Sequence, residues 1–215
     1  MIQRWIQLSI LTSIYFLVSA FSPEPGSSKS GNNNKKKWVA LFDGKTLLGW
    51  HTIPGGEWKV QNGAIVGRSD KQDTRHGLLV TDKAFENFEV EVRYKAITGN
   101  SGLYFRAEEM GGVVGVHGFQ AEIDPNNDAG GLYETGGREW VVKPAPDQVR
   151  TWYKPGKWNT MTVRADGNHI TVHVNGKKTA ELFNDPGRKK GHIALQLHGS
   201  MDMHVLFKSV RIREL

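Results

Sequence analysis

No cysteine occurs anywhere in the chain. That excludes disulfides, thiolate metal centres and a lipid-modified cysteine anchor. After residue 37 the sequence also lacks any apolar run of the roughly 20 residues a membrane helix needs. No window there shows an apolar period of about 3.6, so an amphipathic-helix architecture is set aside. There is no internal repeat and no second linker, which points to one domain. A basic face with interleaved aromatics, the footprint of a nucleic-acid binder, is missing as well. The formal net charge is +6, but Arg4 and residues 21–37 carry four of those charges. About +2 remains from Trp38 onward, so no nucleic-acid partner is expected.

What is present is ordinary globular composition, with 38% hydrophobic and 23% charged residues, enough for one sizeable core. Residues 1–20 differ from the rest: Arg4, a mostly apolar stretch from Ile6 to Val18, then Val18-Ser19-Ala20. This is the pattern of a secretory signal peptide cleaved near residue 20. An uncleaved anchor is the alternative. Residues 21–37, rich in Ser, Pro, Gly and Asn and ending in Lys35-Lys36-Lys37, read as a disordered polar and basic linker. Export without disulfides suggests a bacterial periplasmic or extracellular protein, with no stable membrane insertion once the leader is removed.

Residues 38–215 are short alternating runs separated by Gly, Asn and Asp turns. Phe88, Val90, Val92 and Tyr94 share one parity, and Ile170, Val172 and Val174 share another. Gln61-Asn62-Gly63 and Asn175-Gly176 are hairpin signals. Many short strands with turn signals between them predict an all-β, two-sheet antiparallel jelly-roll sandwich.

The most informative stretch runs from His117 to Trp140. Phe119, Ala121 and Ile123 alternate with Gln120, Glu122 and Asp124. Successive strand side chains point to opposite faces, so one face is apolar and the other carries an amide and two carboxylates. Strands disfavour Asp and Glu, which makes that second face unusual. A solvated strand face followed by a glycine-rich loop is the plain alternative. By the same parity, Tyr104 and Arg106 face outward from Leu103 and Phe105, and Gln196 and His198 outward from Leu195 and Leu197. Three neighbouring strands of this kind would build a groove suited to sugar hydroxyls, which carboxylates, amides and Arg engage in paired hydrogen bonds. Trp140, Trp152 and Tyr153 are candidate platforms for a sugar ring, or else rim and core packing.

These residues carry a resemblance. L-F-D-G-K-T-L-L-G-W (41–50), N-S-G-L-Y-F-R (100–106), G-F-Q-A-E-I-D (118–124), G-G-L-Y-E (130–134), G-K-W-N (156–159), V-N-G (174–176), G-H-I-A-L-Q-L-H (191–198) and V-R-I-R-E-L (210–215) occur in this order. The series, from about residue 38 to 215, resembles the 3-keto-disaccharide hydrolase domain family. The resemblance implies a concanavalin-type jelly roll related to laminin-G and legume-lectin sandwiches, in an exported bacterial protein. It also implies cleavage of glycosides whose sugar has first been oxidised to a 3-ketone. A 3-keto group acidifies the C2 proton; its removal gives an enolate that expels the C1 substituent, and hydration completes net hydrolysis. That chemistry needs a base near C2, donors at the C3 oxygen and an acid near the leaving oxygen.

Glu122 or His198 is the expected base, and Arg106 the expected partner of the enolate oxygen. Tyr104, Gln120, Asp124, Tyr133, Glu134, Arg138, Trp140 and Gln196 are the expected substrate contacts. A divalent cation such as Ca²⁺, held by Glu122 and Asp124, would also stabilise the enolate. The alternative function is a non-catalytic carbohydrate-binding module, and a structural adhesion domain is a third reading. The expected partner is a carbohydrate or keto-sugar.

Overall fold

The computed structural model describes residues 36–125 and 127–215. The leader predicted for residues 1–20, and all but the last two residues of the predicted linker, lie outside them. In chain order the strands are β1 (Val39–Ala40), β2 (Trp50–Ile53), β3 (Glu57–Gln61), β4 (Ala64–Ser69), β5 (Gly77–Phe85), β6 (Phe88–Thr98), β7 (Ser101–Glu109), β8 (Val116–Ile123), β9 (Leu132–Thr135), β10 (Glu139–Val142), β11 (Asn159–Asp166), β12 (His169–Val174), β13 (Lys177–Leu182), β14 (Gly191–Leu197) and β15 (Met203–Glu214). One short helix, α1 (Pro146–Val149), separates β10 from β11. Among the described residues no helix is long and apolar enough to cross a membrane.

The strands form two antiparallel sheets, as the alternating runs predict. One has the order β13-β12-β11-β6-β15-β4-β3, with β1 also pairing β15. The other has the order β10-β9-β8-β7-β14-β5-β2. Asn62 and Gly63 adopt φ 52° and 72° in the β3–β4 turn, and Asn175 and Gly176 adopt 52° and 82° in the β12–β13 turn. Positive φ at both central positions is what a tight hairpin matching strand twist requires, and Asn-Gly supplies it at little steric cost.

The core lies between the sheets. Phe88, Val90, Val92 and Tyr94 of β6 are fully buried against Leu103 and Phe105 of β7 and Phe119, Ala121 and Ile123 of β8. Phe105 and Phe119 stack at 5.4 Å. Burying each such side chain contributes roughly 1.5–3 kcal/mol. Along β15 the buried parity changes from Val205 and Phe207 to Val210 and Ile212, across a register shift between Phe207 and Ser209. That shift is a bulge, one extra residue that resets which side chains face inward.

A second, smaller apolar cluster sits on the opposite, outer side of the seven-stranded sheet. Leu78 and Val80 of β5, Tyr104 and Ala107 of β7, Val116 of β8 and Ala194 of β14 compose it. The outer face predicted to be polar is thus half apolar. Buried on both faces, β5 reads Leu78-Leu79-Val80 without alternation.

Candidate functional site

The seven-stranded sheet sets one row of side chains across four strands. Its register pairs Tyr104 with Gln120, Gln120 with Tyr133 and Tyr133 with Trp140. Tyr133 and Trp140 meet edge to face at 5.4 Å, an aromatic corner at one end of the row. In the neighbouring row Glu122 is opposite Gly102. A Cβ on Gly102 would lie 2.6 Å from Gln120 Cγ and Nε2. The glycine therefore makes room for the Gln120 amide to lie across β7 toward β14. There Gln120 Nε2 reaches Gln196 Oε1 at 3.3 Å, and Gln196 Nε2 reaches Gln120 Oε1 at 3.4 Å.

These residues line a cavity of ≈ 320 Å³ together with His76, Asn100, Thr135 and His198. His76 precedes β5 and His198 follows β14, and the pairing of Gly77 with Leu197 brings the rings to 4.4 Å. Tyr104 shares its hydroxyl with Thr135 Oγ1 at 2.9 Å. A larger cavity of ≈ 640 Å³ lies elsewhere; its walls are Val39, Leu41, Leu48 and Phe85, and its charged groups are Lys36, Lys37, Asp82, Lys83 and Glu214, with none of the residues of the Gln120–Glu122 row.

Proton positions follow from the partners. His198 Nδ1 lies 2.7 Å from the Gly199 carbonyl oxygen, which only accepts. Nδ1 thus carries the hydrogen, and Nε2 keeps the lone pair when the ring is neutral. His76 is the reverse: its Nδ1 accepts from Gln196 Nε2 at 2.9 Å, so its hydrogen is on Nε2. Burial, then the neighbouring His198, pulls the His76 imidazole down to about 4. Glu122 is 5% exposed. Its burial pushes the carboxyl up to about 8, and the charges of Asp124 and Asp128 add to that. Bonds from Gln120 and Asn100 oppose the rise without cancelling it. Gln120 Nε2 donates to Glu122 Oε1 at 2.7 Å. Asn100 lines the cavity, and its Oδ1 is buried with no hydrogen-bond partner among the described residues. Burial also drives the Tyr104 phenol well above its ordinary range.

The structure gathers Tyr104, Gln120, Glu122, Tyr133, Trp140, Gln196 and His198 as expected, and separates the rest. Arg106 is the main correction. Its backbone has φ 50°, within a register shift between Phe105 and Glu108, and this takes the side chain out of the alternation. Fully buried, it donates to the carbonyl oxygens of Glu86, Gly167 and Arg188 and clamps three loops. Glu134 and Arg138 are a second correction. Glu134 is opposite Phe119, on the face away from the groove. It pairs with Arg138, which also holds Asp185 at 2.8 Å and lies over the Phe119 ring. Asp124 follows the last residue of β8, is 7% exposed, and acts on Glu122 through its charge. Trp152 and Tyr153 belong to the core rather than a sugar platform.

The cation reading also fails on donors. Among the described residues no group of three or more His, Asp or Glu side chains converges on one point. Glu122 Oε1 already accepts from Gln120, whereas Ca²⁺ takes roughly six to eight oxygen ligands. His76, Asn100, Val114 and Thr135 are the lining residues not expected from the sequence, although Thr135 shares the parity of Tyr133 on β9. A histidine directly before a doubly buried apolar run, and an asparagine in a Gly-Asn-Ser-Gly turn, were the available signals.

The family model for the 3-keto-alpha-glucoside-1,2-lyase-like domain matches residues 37–213. The chain belongs to that family. A 3-keto-disaccharide hydrolase of Bacteroides thetaiotaomicron is 34% identical over 83 residues, covering 34% of this chain and 28% of that protein. The lyase-like fold also superposes on a Parabacteroides distasonis protein assigned as a glycosyl hydrolase, with TM-score 0.62 and 23% identity, over 83% of this chain and 94% of that one. A carbohydrate-binding module of Bacillus subtilis gives TM-score 0.61 and 17% identity over 77% and 96% of the two chains. At those identities the superpositions speak for the jelly-roll fold alone. The family places this lyase-like domain among carbohydrate-related, glycosyl-hydrolase-like proteins.

Proposed function

We propose that the groove cleaves 3-keto glycosides by elimination and hydration. One observation carries the reading: the buried Glu122 carboxyl and the His198 imidazole, whose Nδ1 is taken by the Gly199 carbonyl so that Nε2 can accept, line the same ≈ 320 Å³ cavity. His198 Nε2 takes the C2 proton, and the electron pair moves into the C3 carbonyl as an enolate. The enolate collapses, the C1–O bond breaks, and Glu122 delivers its proton to the departing oxygen. Water then adds at C1 while C2 regains a proton, restoring the 3-keto sugar. His76 takes the part that the sequence suggested for Arg106. Its Nε2–H, on a ring kept neutral, donates to the developing oxygen at C3 without competing as an acid. Gln196 fixes that tautomer, Asn100 Oδ1 accepts from a sugar hydroxyl, and Trp140 with Tyr133 covers the ring's apolar face.

The leaving group tests this division of roles. Removing a general acid or base costs about 10²–10⁴ in rate. Glu122→Gln should lose most of that on a 3-keto disaccharide and little on a 3-keto glycoside of nitrophenol, which departs without a proton. His198→Gln should lose it on both. Equal losses for Glu122→Gln on the two substrates would remove the acid role. The aromatic corner alone would serve a binding module, and sugar affinity without turnover in the wild type would move the protein to that class. Export belongs to the same proposal, resting on Arg4 and the apolar stretch that ends at Ala20. Intact mass of native material starting at Met1 would count against cleavage of the leader.

A further inference from the structure

We propose that the outer face of the other, eight-stranded sheet binds an anionic glycan, through carboxylate or sulfate groups, at a site separate from the cleavage groove. A concavity of ≈ 330 Å³ opens there across β4 and β15. Its floor is Ala64, Val66 and Leu206, apolar residues on the side of the sheet away from the core. Arg68 and Lys208 line its rim, and His204 lies opposite Arg68 in the register. Lys95 is opposite Leu206, and with Arg93 it lies over the Trp158 ring at 5.6 and 5.8 Å.

None of Arg68, Arg93, Lys95 and Lys208 has a carboxylate partner among the described residues. Glu57 lies opposite Arg68 in the register, but its carboxylate pairs with Lys59, so Arg68 and Lys208 at the rim, with Arg93 and Lys95 over Trp158, leave this part of the face net positive. His204 registers it: burial first, then Arg68 and Lys95, lower its imidazole from the usual range. The field is also short. Further along the same face Arg211 pairs with Glu91, and Arg164 and Arg213 pair with Glu89. A membrane surface or a nucleic-acid duplex laid along the sheet would meet those carboxylates. A compact acidic sugar seated in the depression would not. Trp158 and the apolar floor suit the C–H face of a pyranose, and the Gln61 and Asn62 amides at the rim suit its hydroxyls.

The test uses the whole chain, so the basic residues 35–37 are present in every sample. Calorimetry at low salt measures binding of a galacturonate hexasaccharide, a sulfated heparin hexasaccharide and neutral maltohexaose. At least one acidic oligosaccharide should bind, with affinity falling steeply at roughly 0.5 M salt, and maltohexaose should not compete. The one that binds identifies the anion. R68Q/K95Q should bind it at least about tenfold more weakly with unchanged melting temperature, while His198→Gln binds normally. Trp158→Ala should weaken binding without changing its salt dependence. Absence of binding by both acidic oligosaccharides overturns the proposal. So does equal binding by R68Q/K95Q, or tighter variant-sensitive binding to phosphatidylglycerol vesicles or duplex DNA.

Discussion

Gln120 Nε2 donates to Glu122 Oε1 at 2.7 Å from two residues away on one strand face. The bond fixes one carboxyl oxygen, while burial raises the carboxyl to about 8 and so favours the protonated form at neutral pH. Gln120 also exchanges hydrogen bonds with Gln196, and Gln196 donates to His76. The proposed acid, Glu122, and the proposed electrophile, His76, are therefore positioned by one run of amides, and the proposed chemistry depends on that run staying in place.

Gly102 provides the space for it, so Gly102→Ala should displace the Gln120 amide. The position has no positive φ, and alanine is acceptable to the backbone. We expect kcat/KM to fall at least about tenfold, the equivalent of ~1.4 kcal/mol. Steady-state kinetics beside thermal melting would check this. Full activity would show that the cavity does not need the amide run.

Arg106 should prove structural. Arg106→Met leaves three carbonyl oxygens without their donor. A cost of about 3 kcal/mol or more is expected in urea unfolding. At low temperature, where the variant remains folded, kcat/KM should stay within a few-fold of wild type. A loss of about 100-fold or more in the folded variant would restore the enolate role read from strand parity.

The Glu122 and His76 shifts oppose each other between about pH 4.5 and 6.5, so together they leave stability level there and lower it toward pH 8 and below about pH 4.5. Glu122 rises from 4.5 to about 8 on folding. Across that window the folded protein keeps a proton that the unfolded chain has released, so stability falls as pH rises. His76 drops from 6.5 to about 4. There the unfolded chain holds the extra proton, and stability falls as pH is lowered through the window. Glu122→Gln should flatten the alkaline side, by up to ~1.4 kcal/mol per pH unit, and gain stability at pH 8. His76→Asn should flatten the acid side. Melting curves from pH 4 to 9 that move in parallel for wild type and Glu122→Gln would contradict the burial effect.

The sandwich and the groove were legible wherever one strand face is buried and the other polar. Phe88 to Tyr94 and Phe119 to Asp124 alternate because the pleat sends neighbours to opposite sides. Asn62-Gly63 and Asn175-Gly176 announce their turns by composition. Parity failed where the backbone departs from the pleat. Arg106 at φ 50° and the shift along β15 reset the count, and an arginine gives no hint that its own residue will do so. It failed again in β5, where both faces are buried and no polar residue marks the sides. His76 belongs to the site only because β5 lies beside β14, and strand order is a tertiary fact. Glu134 was within reach of the same logic: with Tyr133 in the groove, its neighbour has to face away.

Removal and later return of the C2 proton is the core of the proposed chemistry, and turnover in heavy water measures it directly. A 3-keto disaccharide is cleaved in D₂O, an enzyme-free sample corrects for spontaneous exchange, and the released 3-keto sugar is read by NMR. Elimination followed by rehydration predicts deuterium at C2 of the product. It also predicts C2 exchange by Glu122→Gln that outpaces its cleavage, and neither reaction in His198→Gln. Wild-type product that keeps its original hydrogen at C2 would contradict elimination and leave direct displacement at C1.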